Sequence, residues 1–295
     1  MKKVELIDQV NCHNLLGEGV QWNAQEKSFW WTDILSKKLF SYQLFSRSLK
    51  EWDLPERLGC FAFSDGKSEV LAAFESGFAW YHLESGRCEW IAKPEAHWQG
   101  NRLNDGRCDR QGRFWSGSIT EQQNHPSQSA GLFCLDGEVK ISQHLTGLKI
   151  SNALCWSRDS SKMYHADSPT HTLRVYDFDA ETGRLGSSTI FAKTETGIEP
   201  DGACVDADDY VWNAQWGGSR VVRYAPDGTK NFVLALPVSQ VTCVAFGGDD
   251  YSILAVTSAR IGLSGEALQA QPDAGNLFIF KTEFTGLPES RFLIK

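Results

Sequence analysis

The sequence predicts an all-β fold, a six-bladed β-propeller with four-stranded antiparallel blades, with residues 1–295 forming a single domain. Three observations lead there: an aromatic-rich composition, paired strand-like runs that recur along the whole chain, and polar turns at matching places in the repeat.

Eleven Trp and seventeen Phe stand against two Met and nine Pro, a balance that suits pleated β packing better than helices. Hydrophobic residues make up 41% and charged residues 22%, enough apolar material for a large core. Paired runs with period-two alternation occur at 28–34 with 38–44, 69–74 with 78–83, 113–119 with 131–135, 162–167 with 173–178, 210–215 with 220–224, and 252–257 with 276–280. Each pair reads as a hairpin. A further short apolar run closed by a polar turn precedes each pair, as at Gly19-Val20-Gln21-Trp22 before 23–26 and Cys60-Phe61-Ala62-Phe63 before Ser64-Asp65-Gly66. A spacing of roughly 40–50 residues with about four strands per unit is the signature of propeller blades.

A ring needs closure, because an open last blade leaves an unpaired edge. Residues 3–8 are expected to add the outer strand of the last blade, beside 291–294. The long stretches 122–130 in blade three and 262–274 in blade six are expected as loops on a face of the disc, where loops carry function.

A formal net charge of -8 with scattered Lys and Arg argues against nucleic-acid or anionic-membrane partners. No stretch approaches the ~18 apolar residues of a membrane helix, and no apolar segment follows the first lysines as a signal peptide requires. A cytoplasmic monomer is expected. The eight cysteines lie singly, without a C-x-x-C pair, which argues against structural zinc and reads as buried free thiols.

In a propeller the innermost strands surround a central channel, so residues just before them converge on one mouth. These are Glu18 between Gly17 and Gly19, Arg102 with Asn104 and Asp105, Asn152, Asp201, and Gln240 with Thr242. Carboxylates from Glu18 and Asp201 and amide oxygens from Asn104 and Asn152 are hard donors that suit Ca²⁺, Mg²⁺ or Mn²⁺. Asn, Asp and Gly also form ordinary turns, but four such donors at matched repeat positions favour a cation site. Gly17, Gly19, Gly106 and Gly202 fit tight turns or close approach equally and receive no chemical role. His165 and Asp167 face one side of a strand, as two ligands of an iron facial triad would, but His165 reads as a blade-packing residue.

The chain resembles the SMP-30/gluconolactonase family. The resemblance rests on Leu16-Gly17-Glu18-Gly19, Trp31-Thr32-Asp33-Ile34, Asn101-Arg102-Leu103-Asn104-Asp105-Gly106, Ile150-Ser151-Asn152-Ala153, Pro200-Asp201-Gly202 and Trp216-Gly217-Gly218. It implies one divalent metal ion, Ca²⁺ foremost with Zn²⁺, Mn²⁺, Mg²⁺ or Fe²⁺ compatible, held by Glu18, Asn152 and Asp201. It also implies Asp201 as general base, Arg102 and Asn104 as substrate-binding residues, Glu121 as a sugar contact, and a small-molecule sugar lactone as substrate. A metal-dependent aryl-ester or phosphotriester hydrolase and a non-enzymatic binding propeller are the alternatives. A greasy mouth would favour the aryl ester; Arg102, Asn104 and Gln215 suggest a polar one.

Overall fold

The computed structural model describes residues 3–65 and 69–295. Gly66, expected in the turn of blade two, lies outside the described residues. The strands form six four-stranded sheets, each a simple antiparallel meander, and the six sheets are the blades of a β-propeller. Five blades are continuous in sequence. The sixth combines Val241–Gly247, Ile253–Ser258 and Leu277–Thr282 with Val4–Val10 as its outer strand.

Ring closure by the first strand is as expected, but its partner is not. Val4–Val10 pairs with Leu277–Thr282, Val4 opposite Thr282 and Val10 opposite Leu277. Residues 291–294, expected beside it, run elsewhere: Phe292 donates its N–H to Phe63 O and Leu293 to Gly112 O, so this tail ties blades two and three. Leu277, Phe278 and Ile279 form a continuous, fully buried apolar run, which makes them better strand-pairing material than the tail, whose Leu293 and Ile294 stay exposed.

The core lies in the seams between blades. One hydrophobic cluster joins Trp212 and Val221 of blade five to Phe246 and Leu254 of blade six, and another joins Trp31 and Phe40 to Ala255 and Ile279 across the closure. Two buried tryptophans, Trp115 and Trp212, have their indole N–H groups satisfied by turn carboxylates. Asp109 accepts Trp115 Nε1 at 2.9 Å on one oxygen and the backbone N–H groups of Gln111 and Arg113 at 3.0 Å on the other. Asp206 repeats this with Trp212 at 2.8 Å and with Asp208 and Tyr210. Turn and packing are thereby fixed by one side chain.

Stretch 262–274 is not all loop: Gly265–Ala270 is a short helix whose Ser264 cap accepts from Ala267 N. Among the described residues no helix is long and apolar enough to cross a membrane. All eight cysteines are free.

Candidate active site

The inner strand of every blade carries a register shift at its entrance: between Glu18 and Gln21, Leu58 and Cys60, Leu103 and Gly106, Asn152 and Cys155, Pro200 and Ala203, and Val241 and Val244. The sequence reading put the polar residues just ahead of these strands. They lie within them, in Gly17–Asn23, Asn101–Cys108, Ser151–Trp156 and Glu199–Val205, next to the bulge. A bulge bends a strand and re-aims a side chain, and here the bulges of blades one, three, four and five lie beside Glu18, Asn104, Asn152 and Asp201. Ala153, at φ 61°, and Gly19, at the same φ, are bulge residues that accept the left-handed backbone this demands. Gly106 and Gly202 answer to packing: a Cβ would lie 2.3 Å from Trp115 O and 2.6 Å from Cys243 Sγ, respectively.

The structure brings together all the candidate residues. Glu18, Arg102, Asn104, Glu121, Asn152 and Asp201 line one cavity of about 320 Å³ at the channel mouth. Glu121 and Ile261 border the two long insertions and also line the cavity, so both insertions leave the ring from this face.

Its floor is a network of buried polar groups. Asn152 Nδ2 donates to Ser168 Oγ at 2.9 Å, and that hydroxyl donates to Pro200 O at 2.7 Å. Asn104 Nδ2 donates to Asn152 Oδ1 at 3.1 Å and to Ser151 O at 3.1 Å, while Asn104 Oδ1 accepts from Arg102 Nη1 at 2.7 Å. Arg102 Nε donates to Glu121 Oε1 at 2.8 Å. Arg57, which the sequence reading passed over, donates to Glu121 at 3.0 Å and clasps Glu75 through two bonds of 2.8 Å.

The carboxyls of Glu18 and Asp201 are buried and adjacent to one another. Burial first, then the nearby Asp105 carboxylate, pushes Glu18 up; burial, then Glu18 and Asp105, pushes Asp201 up. Asp105 is itself raised by burial, with Arg107 opposing. Asp201 Oδ1 is buried without a partner. Three buried carboxyls around one axis and an orphaned oxygen are the signature of a place that wants a cation, since convergent carboxylates are costly to desolvate uncompensated. Among the described residues no group of three His, Cys, Asp or Glu side chains is close enough to hold an ion alone, so a site here draws on amide oxygens or water beside Glu18 and Asp201.

One expectation needs correction. Gln215 does not make the mouth polar: it is wholly buried, donating to Tyr224 Oη at 2.8 Å and accepting from Arg220 at 2.6 Å. The cavity wall above the polar floor is instead largely apolar, from Leu16, Leu35, Ile119, Ile150, Trp216 and Ile261. His165 and Asp167 have structural partners: His165 Nε2 lies 2.8 Å from Ser151 Oγ, and Asp167 accepts the N–H groups of Lys149 and Ile150.

Toward the opposite end of the channel Arg107, 11% exposed, pairs with Glu289 from the C-terminal segment.

The sequence profile described as "SMP-30/Gluconolactonase/LRE-like region" matches residues 16–260. The chain belongs to this family. Among its relatives, L-arabinolactonase of Azospirillum brasilense is 37% identical over 284 residues, covering 96% of this chain and 93% of that protein. The 6-deoxy-6-sulfogluconolactonase of Pseudomonas putida is 33% identical, covering 95% of each. The crystal structure of regucalcin from Agrobacterium tumefaciens, named as a calcium-binding protein, superposes with a TM-score of 0.89 at 30% identity, over 100% of this chain and 98% of that one.

Proposed function

We infer that this member of the family is an enzyme that hydrolyses a sugar lactone to the aldonic acid with the help of one divalent cation. The observation that carries the reading is the buried Glu18–Asp201 pair with its orphaned Asp201 Oδ1, beside Asn152 and beneath the Arg102–Asn104 pair. The names of the lactonase relatives support the reaction class, and the calcium-binding structural relative supports a cation.

Glu18, Asn152 and Asp201 are the residues that would hold the ion, with Ca²⁺ foremost and Zn²⁺, Mn²⁺, Mg²⁺ or Fe²⁺ compatible with mixed carboxylate and amide donors. When bound, it supplies Lewis-acid polarisation of the lactone carbonyl. The protein supplies the rest. Ser168 Oγ accepts from Asn152 Nδ2 and so fixes the orientation of that amide. Arg102 and Asn104 orient the ring through hydroxyl contacts, with Glu121 holding the guanidinium and bordering the same space. Asp201, whose Oδ1 has no hydrogen-bond partner among the described residues, accepts a proton from the attacking water. The apolar wall excludes bulk water and strengthens each of these contacts. The whole chain acts as one cytoplasmic, monomeric unit in this reading, with no nucleic-acid or membrane partner.

The test is a pH-indicator assay of acid release from a panel of aldonolactones, with metal-stripped protein and after adding each divalent ion in turn. Metal-restored hydrolysis of one lactone supports the reading. Folded protein inactive on every lactone with every ion refutes it. The apolar wall favours one second reading, an aryl-ester hydrolase using the same floor; faster turnover of phenyl acetate than of any aldonolactone would establish it.

A further inference from the structure

One carboxylate in the cavity has no partner. Glu199 lines it, and among the described residues no hydrogen bond or ion pair engages its side chain. It opens the inner strand of blade five and sits directly across the ladder from Trp216, which lines the same cavity. Directly opposed residues of an antiparallel pair project to the same face, so carboxylate and indole form one wall.

The backbone on both sides of this wall is pinned. Ile198 O accepts from Thr194 Oγ1 and lies 2.9 Å from His171 Nδ1, Pro200 O accepts from Ser168 Oγ, Trp216 bridges to Gln240, and Gly217 N donates to Ser239 O at 2.9 Å. A site on such a frame is preorganised, and its contacts lose little entropy on binding. Around the mouth the order is Arg102 and Asn104 on blade three, Asn152 on blade four, and Asp201 with Glu199 on blade five. A ring lying on the floor therefore meets Arg102 on one side and the Glu199–Trp216 wall on the other.

An ionised carboxylate only accepts hydrogen bonds, and an indole offers a flat apolar face. Together they match the hydroxyl edge and the C–H face of a neutral polyol and repel an anion. We propose that Glu199 and Trp216 are specificity-determining residues that recognise the hydroxylated end of a neutral lactone and select its hydroxyl pattern; this rests on the lactonase reading above.

The experiment compares wild type with E199A, E199Q, W216A and W216F, using the full chain loaded with the ion that supports turnover and lactone pairs differing by one hydroxyl. E199A is expected to raise KM roughly ten- to hundredfold, the range for hydrogen bonds to a charged group, with kcat within about threefold. That effect should vanish on the deoxy-lactone lacking the recognised hydroxyl. W216A should raise KM on all lactones, and W216F should restore most of the loss. A fall in kcat at unchanged KM, or an equal E199A effect on every deoxy-lactone, overturns the proposal. A parallel titration with an unreactive alditol, read by tryptophan fluorescence, separates the two readings. If wild type hydrolyses no lactone yet E199A weakens alditol binding about tenfold, the lactonase reading falls and the recognition wall stands. Alditol affinity unchanged by E199A, with the variant's fold verified by circular dichroism, overturns the wall.

Discussion

His165 offers a quantitative check on how this protein handles acid. Its imidazole is wholly buried, and burial alone pushes its pKa down to about 3 from an ordinary 6.5. A base whose folded value is depressed contributes full stability above its free value and loses it as pH falls from 6.5 toward 3, because the unfolded chain takes the proton and the folded chain cannot. With one pKa unit worth about 1.36 kcal/mol, this residue should destabilise the fold by about 0.8 kcal/mol at pH 6 and about 2 kcal/mol at pH 5, relative to pH 8. Other groups titrate in the same range, so the test is a difference. His165→Gln keeps a nitrogen within reach of Ser151 Oγ, 2.8 Å from Nε2 in the native protein, and removes the titration. Urea unfolding at pH 8, 6 and 5, followed by tryptophan fluorescence, should show wild type losing about 2 kcal/mol more than the variant by pH 5. Parallel losses within about 0.5 kcal/mol would refute the argument and mean that the imidazole is wet or paired in the folded state.

Further expectations follow from the site and the frame. Asp201→Ala should cost at least the ~10²–10⁴ of a general base and Glu18→Gln should lower turnover comparably through loss of the cation, whereas Arg102→Ala should chiefly raise KM; steady-state kinetics with saturating ion decides, and full activity of the Asp201 variant would sink the mechanism. Asp206→Ala strands the buried Arg223 and Trp212 Nε1 and should cost about 3–5 kcal/mol in urea unfolding, with part recovered when Arg223 is also made Met. Removing residues 1–10 strips the outer strand of blade six and the Tyr42–Asp8 hydrogen bond of 2.6 Å, exposing the apolar 277–282 edge. The truncated chain should aggregate, as read by sedimentation; soluble monomer of unchanged thermal stability would contradict that role.

The repeat was legible because each blade spells out its own strands: aromatic and β-branched residues alternate locally, and period two needs no knowledge of distant partners. Glu18, Asn104, Asn152 and Asp201 were legible for a related reason, since a repeat converts sequence phase into position around an axis. What escaped depends on pairing between segments. The register shifts that place Glu18 and Asp201 inside strands belong to two strands at once. The choice of 277–282 over 291–294 as partner of the first strand is a competition between edges. Gln215 is expected, as a polar residue, to help make the mouth polar, yet its Tyr224 and Arg220 partners turn it inward. Ser168 and Arg57 act through contacts with residues well separated in the chain, and a lone Ser or Arg in a sequence carries no sign of them.

The shared sixth blade sets a timetable for synthesis. Val4–Val10 leaves the ribosome before the other described strands, while Leu277–Thr282, its partner, comes after them all. At roughly 5–20 residues per second, the wait is about a quarter of a minute to a minute. Composition divides the hazard accordingly: the strand that waits carries Glu5, Asp8 and Gln9 and buries only Val10 even when docked, whereas the apolar Leu277, Phe278 and Ile279 appear only when a mate is already at hand. An early strand with the late one's composition would spend that interval as an unguarded, sticky edge on a crowded polysome.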